Sequence, residues 1–349
     1  MVMAEGDFGS LLPSGSAALV PSTGSELFTS HPSTSFVNPA TALPLPNPPS
    51  CPGFCGRVQY NATAYSDCEA CPWGHRSSSH LWCSPCNDTV QLYDWLYLLF
   101  VATLPFLLHC SHVHRFTPPT NPPWSQWAEF ACCACECALA AIFSLLVFPP
   151  RGQLGLVGCG RSRLKQWYPW LYNPVLKFAR TMSCTYEVVF PLYSLPFVYF
   201  LCCLINMVIL RTVLYSTVLK RLRSPRSYYA ALFTLPILAL GNSFLSGILH
   251  VGFPYLVGMY SIAANAIHLA CLKPISKGDM LKKISASSKN VAFLVVNSLL
   301  LAFAIISLGV RLHDAPISIP LLSLVPIPPL FFILTSTLTS PVAVRWPVQ

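Results

Sequence analysis

Charged side chains are scarce in this sequence. Asp, Glu, Lys and Arg make up 9% of its 349 residues, whereas soluble domains carry about 25%. This scarcity excludes an ordinary soluble surface. Acidic residues are rarer than basic ones, and the net charge is +9. Such a charge can indicate nucleic-acid binding, but most of the cations flank apolar runs. We therefore interpret them as topology signals beside lipid headgroups and expect no nucleic-acid partner.

Common catalytic motifs are also missing. The sequence contains no H-E-x-x-H, no G-x-S-x-G and no G-x-x-x-x-G-K-[ST] motif, and no pair of intramembrane aspartates. A single intramembrane carboxylate cannot act as both general acid and general base. We expect a protein that is not an enzyme and that carries no cofactor and no catalytic metal.

Residues 1–50 contain no Lys or Arg and are rich in Pro, Ser, Thr and Ala. They show neither helical nor strand periodicity, and such a segment cannot bury enough apolar surface to offset its chain entropy. Without a basic start and a sustained apolar core, it does not resemble a cleavable signal peptide. We predict a disordered tail at 1–50, a Cys-rich module at 51–91, a transmembrane domain at 92–340 and a short cytosolic tail at 341–349.

Long apolar runs are abundant. Apolar residues make up 54% of the chain, and about 20 of them in a row suffice for a helix to cross a bilayer. The fold class expected is all-α, a polytopic bundle of seven transmembrane helices. A tight link at His250–Val251 joins the fourth and fifth spans, so one long bent helix or a re-entrant hairpin is an alternative there. The predicted spans are Leu92–Ser111, Glu129–Phe148, Val188–Leu210, Tyr228–Leu249, Gly252–Leu272, Asn290–Val310 and Ile319–Leu338.

The distribution of cations predicts the orientation. With the amino terminus outside or lumenal, the inside segments hold twelve of the 21 Lys and Arg, and they are richer in cations per loop residue. Those cations include the cluster from Arg211 to Arg226 and the cluster from Lys273 to Lys289. Six cations between Arg151 and Arg180 lie on the outside in this arrangement and argue against it. We expect a lumenal amino terminus and a cytosolic carboxyl terminus.

A cysteine framework precedes the first predicted span. Two C-x2-C pairs could hold a tetrahedral zinc ion, which would be a strong pattern in a cytosolic protein. In an exported module the same six cysteines predict three disulfides, of fifteen possible pairings, that would stabilise a segment too small for a core. Two glycosylation sequons, at Asn61 and Asn87, lie in the same segment and favour disulfides. The six cysteines are Cys51, Cys55, Cys68, Cys71, Cys83 and Cys86.

A few polar residues in or beside the spans are candidate sites. Glu136 lies within the second span among Cys132, Cys133, Cys135 and Cys137, and an ionisable group at membrane depth marks a functional or packing site. A protonated or hydrogen-bonded Glu136 facing other helices is one interpretation, and a metal site with the thiolates is another. Three histidines, His109, His112 and His114, cluster where the first span ends. Ser224, followed by Pro225 in a basic loop, is a candidate phosphorylation site.

Several uncommon strings resemble the JNK-associated membrane protein family (JAMP). The likeness runs from about Cys51 to Pro341. It is carried by Cys68–Gly74 (CEACPWG), Cys83–Cys86 (CSPC), Leu92–Tyr97 (LYDWLY), Trp167–Pro174 (WYPWLYNP) and Pro320–Pro326 (PLLSLVP), among others. The sequence departs from the family pattern in the added tail 1–50, in a first cysteine pair that is one residue tighter, and in the short segment after Pro341.

The resemblance implies a multi-span scaffold of the endoplasmic reticulum that acts in degradation of misfolded proteins. Its implied partners are proteasome subunits, membrane ubiquitin ligases and a stress-activated Jun N-terminal kinase. The family's kinase association is attributed to the cytosolic carboxyl-terminal part, which is short here. A transporter or channel is the alternative, because the run Pro326–Pro329 is expected to break the last span and broken helices form transport sites. A seven-span receptor is a further alternative, for which the sequence shows no recognised signature.

Overall fold

A computed structural model describes residues 49–61, 64–79, 81–118, 120–160, 163–171, 184, 188–220, 225–272, 277–312 and 320–339. Residues 1–48 of the predicted tail 1–50, the predicted tail 341–349 and Ser224 lie outside these ranges. Short strands come first, and helices dominate the rest. The strands are β1 (Gln59–Asn61), β2 (Ala64–Tyr65), β3 (His75–Ser78), β4 (Trp82–Pro85), β5 (Asp88–Thr89) and β6 (Val157–Gly158). The helices are α1 (Leu92–Phe116), α2 (Pro123–Val147), α3 (Leu164–Trp167), α4 (Leu195–Thr217), α5 (Pro225–Cys271), α6 (Lys277–Ser285), α7 (Ser288–Arg311) and α8 (Ile327–Thr339).

The Cys-rich module consists of two-stranded antiparallel ribbons. β1 pairs with β2, and β3 pairs with β4 in a register that places Ser77 opposite Cys83. β5 pairs with β6, which belongs to the segment between α2 and α4. At Gly56 the Sγ atoms of Cys71 and Cys83 lie so close that a side chain would collide with them. The ribbons are too short to be stable alone, so the module depends on its cross-links and on the neighbouring segment.

All six cysteines of the framework form disulfides, as predicted. The expectation that they form three bonds with one another was wrong, because two of them bond to cysteines outside the module. Two bonds, Cys51–Cys68 and Cys71–Cys83, lie within the module. The other two, Cys55–Cys184 and Cys86–Cys159, join the module to the segment between α2 and α4. Because these sulfurs are bonded to each other, they do not form the tetrahedral thiolate set that zinc requires.

Helices α1, α2, α4 and α7 correspond to the first, second, third and sixth predicted spans. The third predicted span began at Val188, whereas α4 begins at Leu195. Pro196 lies in the first turn of α4, where its missing N–H costs no helical hydrogen bond. The helix is therefore displaced by seven residues toward the carboxyl terminus. This displacement places Arg211 inside α4 rather than in a loop.

The fourth and fifth predicted spans form one continuous helix, α5, with Pro236 and Pro254 in its interior. Its 47 residues extend about 70 Å at 1.5 Å per residue, more than twice the thickness of a hydrocarbon core. In the described part of the chain, five helices are long and apolar enough to cross a membrane. Seven spans are therefore not confirmed, although the mostly helical membrane fold is.

The last predicted span is interrupted, as the proline run indicated. A 3-10 turn at Leu322–Leu324 precedes α8, which begins at Ile327. With 13 residues, α8 is about 20 Å long and too short to cross a bilayer alone.

The main hydrophobic core connects the module to the helices. It includes Cys86 of the module, Tyr97 of α1, Trp167 of α3 and Phe253 of α5. Many large apolar side chains outside this core face outward; Phe244 is 72% exposed and Trp127 is 70% exposed. On a helix of a soluble protein such exposure would be costly, whereas in a bilayer these side chains contact lipid.

Candidate functional site

A buried ion pair joins α2 to α4. Arg211 Nε lies 2.8 Å from Glu136 Oε1, and Arg211 Nη2 lies 2.9 Å from Glu136 Oε2, so the guanidinium binds both carboxylate oxygens. Glu136 is fully buried and Arg211 is 3% exposed. Bidentate geometry is the strongest form of this interaction, since two parallel charge-assisted hydrogen bonds satisfy both groups.

Neighbouring polar groups complete the cluster around Glu136. His109 of α1 is fully buried, with its Nδ1 atom 3.6 Å from Glu136 Oε2. The Cys132 thiol donates to Glu136 Oε1 at 3.3 Å, and Arg211 Nη2 donates to Cys133 Sγ at 3.3 Å. Three helices therefore contribute side chains to one polar contact inside the bundle. Polar contacts of this kind hold helices together in membranes, where apolar packing alone is less selective.

The cluster can be tested as a metal site. Ligand atoms of His109, Cys133 and Glu136 lie within 4.8 Å of one another. However, the guanidinium of Arg211 occupies both oxygens of Glu136 and contacts the Cys133 sulfur. A cation could use these ligands only if Arg211 moved away, and its positive charge would oppose the cation. We interpret the cluster as an ion pair that joins helices, which agrees with the prediction that Glu136 faces other helices.

Sequence reasoning missed the partner of Glu136. Arg211 was assigned to a basic inside loop, because the third span was predicted to end at Leu210. The structure corrects this assignment: Arg211 lies in α4 and is buried. The signal available in the sequence was Pro196, because proline favours the first turn of a helix. A third span that began near Pro196 would have ended about two turns later and included Arg211.

A second polar contact joins α1 to the middle of α5. His250 Nε2 lies 2.9 Å from Asp94 Oδ1, and the Tyr93 hydroxyl donates to the His250 carbonyl at 2.6 Å. The guanidinium of Arg311, at the end of α7, lies over the Tyr93 ring and donates to the Val251 carbonyl. The end of α7 is thus held at the level where α1 begins.

The two sequon asparagines are accessible. Asn61 ends β1 and Asn87 immediately precedes β5, and both are exposed. They lie on the same module as the four disulfides. Because the segment between α2 and α4 is bonded to this module, the start of α1, the end of α2 and the start of α4 share one end of the bundle.

These features define a polytopic helical membrane protein whose helices are joined by a buried ion pair and whose extramembranous module is stabilised by disulfides. The family model described as JNK1/MAPK8-associated membrane protein (JAMP) matches residues 51–341. The chain belongs to this family, as its sequence motifs indicated.

Similar proteins cover most of the chain. The Caenorhabditis elegans protein named JNK1/MAPK8-associated membrane protein homolog is 34% identical over 308 residues, covering 84% of this chain and 94% of the relative. The Homo sapiens and Mus musculus proteins named JNK1/MAPK8-associated membrane protein are each 35% identical over 301 residues, with the same coverage. No solved structure matches the chain.

Proposed function

We propose that this protein is a non-enzymatic scaffold of the endoplasmic reticulum membrane that brings degradation machinery and a Jun N-terminal kinase to the bilayer. Membership of the family over residues 51–341 is the observation that carries the proposal. The relatives are named for association with JNK1/MAPK8. Proteasome subunits and membrane ubiquitin ligases are the further partners that we assign to it.

The proposed orientation places the Cys-rich module in the lumen. Disulfides persist in the oxidising lumen and are rare in the cytosol, and the module carries four of them. The exposure of Asn61 and Asn87 supports the same side, since glycosylation occurs there. If this is correct, N61Q and N87Q each remove one glycan, and the double variant is insensitive to endoglycosidase H. A wild-type chain that carries no glycan would contradict the orientation.

Cytosolic partners would then meet the opposite end of the bundle. At this end Lys220 follows α4 and Arg226 lies in the first turn of α5, and these two exposed cations flank the segment that joins the two helices. Cations near the membrane can contact acidic surfaces of a partner or anionic headgroups. We assign partner docking to this segment.

Affinity purification of the full chain in mild detergent tests the scaffold. We expect proteasome, ligase and kinase subunits with the wild type and less of them with a K220E/R226E variant. The matched control is R151E, an exposed arginine at the module end, which should leave recovery unchanged. Recovery of none of these subunits with the wild type would contradict the proposed function, and an equal loss in R151E would contradict the docking segment.

A further inference from the structure

A cavity of about 540 Å³ lies between the Cys-rich module and the segment that follows β6. Residues of β3, the Cys55–Cys184 disulfide and the start of α3 form its walls. Its volume is within the range of about 300–1,000 Å³ that small-molecule sites occupy. The cavity is separate from the ion pair of Glu136, which is buried between helices.

Cations surround this cavity. Arg76 of β3 lines one wall, and Arg163 and Lys165 line another, together with His75. No Asp or Glu is among the described residues that line it, and none of the three Arg and Lys side chains has a carboxylate partner in the described part of the chain. Arg76 uses one nitrogen to donate to the Cys159 carbonyl. The Asp88 carboxylate lies near the Arg76 guanidinium beside Gly160, outside the lining of the cavity, and offsets part of its charge. The remaining positive charge of Arg163 and Lys165 in a concave site attracts an anion.

The hydroxyl groups in the wall suit a multivalent oxyanion. Ser78 and Ser79 line the cavity beside Arg76, so neutral donors lie next to cationic ones. One carboxylate would leave most of the positive charge unbalanced, whereas a phosphate group offers more charge and several acceptor oxygens. Arg and Lys are the side chains that proteins use for phosphate.

The cavity lies at the end of the helical bundle where α1 begins, since Trp167 contacts His250, the partner of Asp94. Trp167 of α3 packs against α5, where Gly247 leaves space for its ring, and the Tyr168 hydroxyl donates to the Phe244 carbonyl at 3.1 Å. Beyond α3, Trp170 and Leu171 are exposed, an arrangement typical of side chains that enter a headgroup layer. A phospholipid headgroup can therefore reach the same cations as a soluble phosphate.

We propose that this cavity is a binding site for a phosphate group, supplied by a lipid headgroup or by a soluble phosphate compound. Arg163 and Lys165 belong to the outside cations that opposed the orientation predicted from charge. Binding an anion explains why cations stand at the module end of the bundle, where the positive-inside rule disfavours them.

The test uses the full chain in dodecyl maltoside micelles, which carry no phosphate group, with two probes: inorganic phosphate and dioctanoyl phosphatidic acid. We expect saturable binding of at least one probe, weakened by salt. Binding of phosphatidic acid alone supports a lipid headgroup as the source, and binding of both supports a site that needs only the phosphate. Failure of both probes to bind saturably would overturn the proposal.

Three variants localise the binding. R163Q/K165Q should lower the affinity by about tenfold or more, since each side chain can make a charge-assisted hydrogen bond. R163K keeps the charge and should retain most of the affinity. R151Q removes an exposed cation outside the cavity and should behave as the wild type. An affinity that R163Q/K165Q leaves unchanged, or that R151Q lowers equally, would show that the cavity is not the site.

Discussion

The hydroxyl of Tyr93 donates to the carbonyl of His250 at 2.6 Å. This carbonyl has no helical donor, because the residue four positions later is Pro254, which lacks an N–H. The next carbonyl, of Val251, accepts from Arg311. Side chains of α1 and α7 thus donate hydrogen bonds to two backbone carbonyls of α5, at the point where the fourth and fifth predicted spans meet. This is how a proline is accommodated inside a membrane helix.

Removing the Tyr93 hydroxyl should destabilise the protein. In Y93F the His250 carbonyl remains buried without a donor, which costs about 1–3 kcal/mol. The free energy of unfolding in mixed detergent micelles measures the effect. Y97F is the matched control, because the Tyr97 hydroxyl is 3.4 Å from the Ser246 carbonyl, a long and weak contact. Equal losses in both variants would contradict a special role for Tyr93.

The second prediction concerns how many times α5 crosses the membrane. Both halves of α5 are apolar, and side chains of the second half such as Met259 and Ile267 are exposed by 69% and 65%. Exposing these side chains to water would be costly. We expect two crossings in the bilayer, with the helix opening near Pro254, so that α6 is cytosolic.

An added sequon tests this arrangement. S285N creates an Asn-Ala-Ser sequon at the exposed end of α6, and we expect it to remain unglycosylated in microsomes. A protease-cleavable tag inserted at Ser285 should be digested by external protease, which provides a positive readout on the same side. An endoglycosidase H-sensitive glycan on S285N would show that α5 crosses once.

Breaking the ion pair of Glu136 and Arg211 should be costly. E136Q or R211Q alone leaves a buried charge without its partner, and the expected loss is about 3–5 kcal/mol of unfolding free energy. Replacing both residues with leucine removes both charges and should cost less than the sum of the single changes. The exposed K220Q is the control and should change stability by less than about 0.5 kcal/mol.

A double-mutant cycle gives the measurement. Unfolding free energies of E136L, R211L and E136L/R211L, measured under identical detergent conditions, yield the coupling between the two residues. Additive losses would mean that the two side chains do not interact.

The disulfides that connect the module to the segment between α2 and α4 should be detectable individually. C86S and C159S remove the same bond, so each should cost about 2–4 kcal/mol, and C86S/C159S should cost no more than either single change. Mass spectrometry of unreduced peptides identifies the pairing. A peptide in which Cys86 is bonded to another module cysteine would contradict it.

Much of the fold could be predicted from local pattern. Runs of about 20 apolar residues place α7 within two residues at each end, whereas α1 ends five residues later and α2 begins six residues earlier than predicted. The runs locate these helices because crossing a bilayer imposes length and composition on each helix separately. The proline run at Pro326–Pro329 likewise predicted the interruption before α8, since proline cannot donate a helical hydrogen bond. The family motifs also lie within continuous stretches of sequence.

Contacts between distant segments could not be predicted in this way. Cys86 and Cys159 are 73 residues apart, and nothing in their spacing distinguishes this pair from the pairings possible within the module. Likewise, Arg211 resembled a loop cation until α4 placed it beside Glu136. At His250–Val251, sequence alone left both a break and a continuous helix open.

Sequence by itself therefore determined that this is a helical membrane protein and favoured a disulfide-stabilised module over a zinc site, because hydrophobic length and cysteine density are local properties. Tertiary structure alone decided which cysteines pair, which cation neutralises Glu136 and which cations surround a cavity. These outcomes depend on which helices and loops pack together. Packing combines residues far apart in the chain, and no short stretch of sequence carries that information.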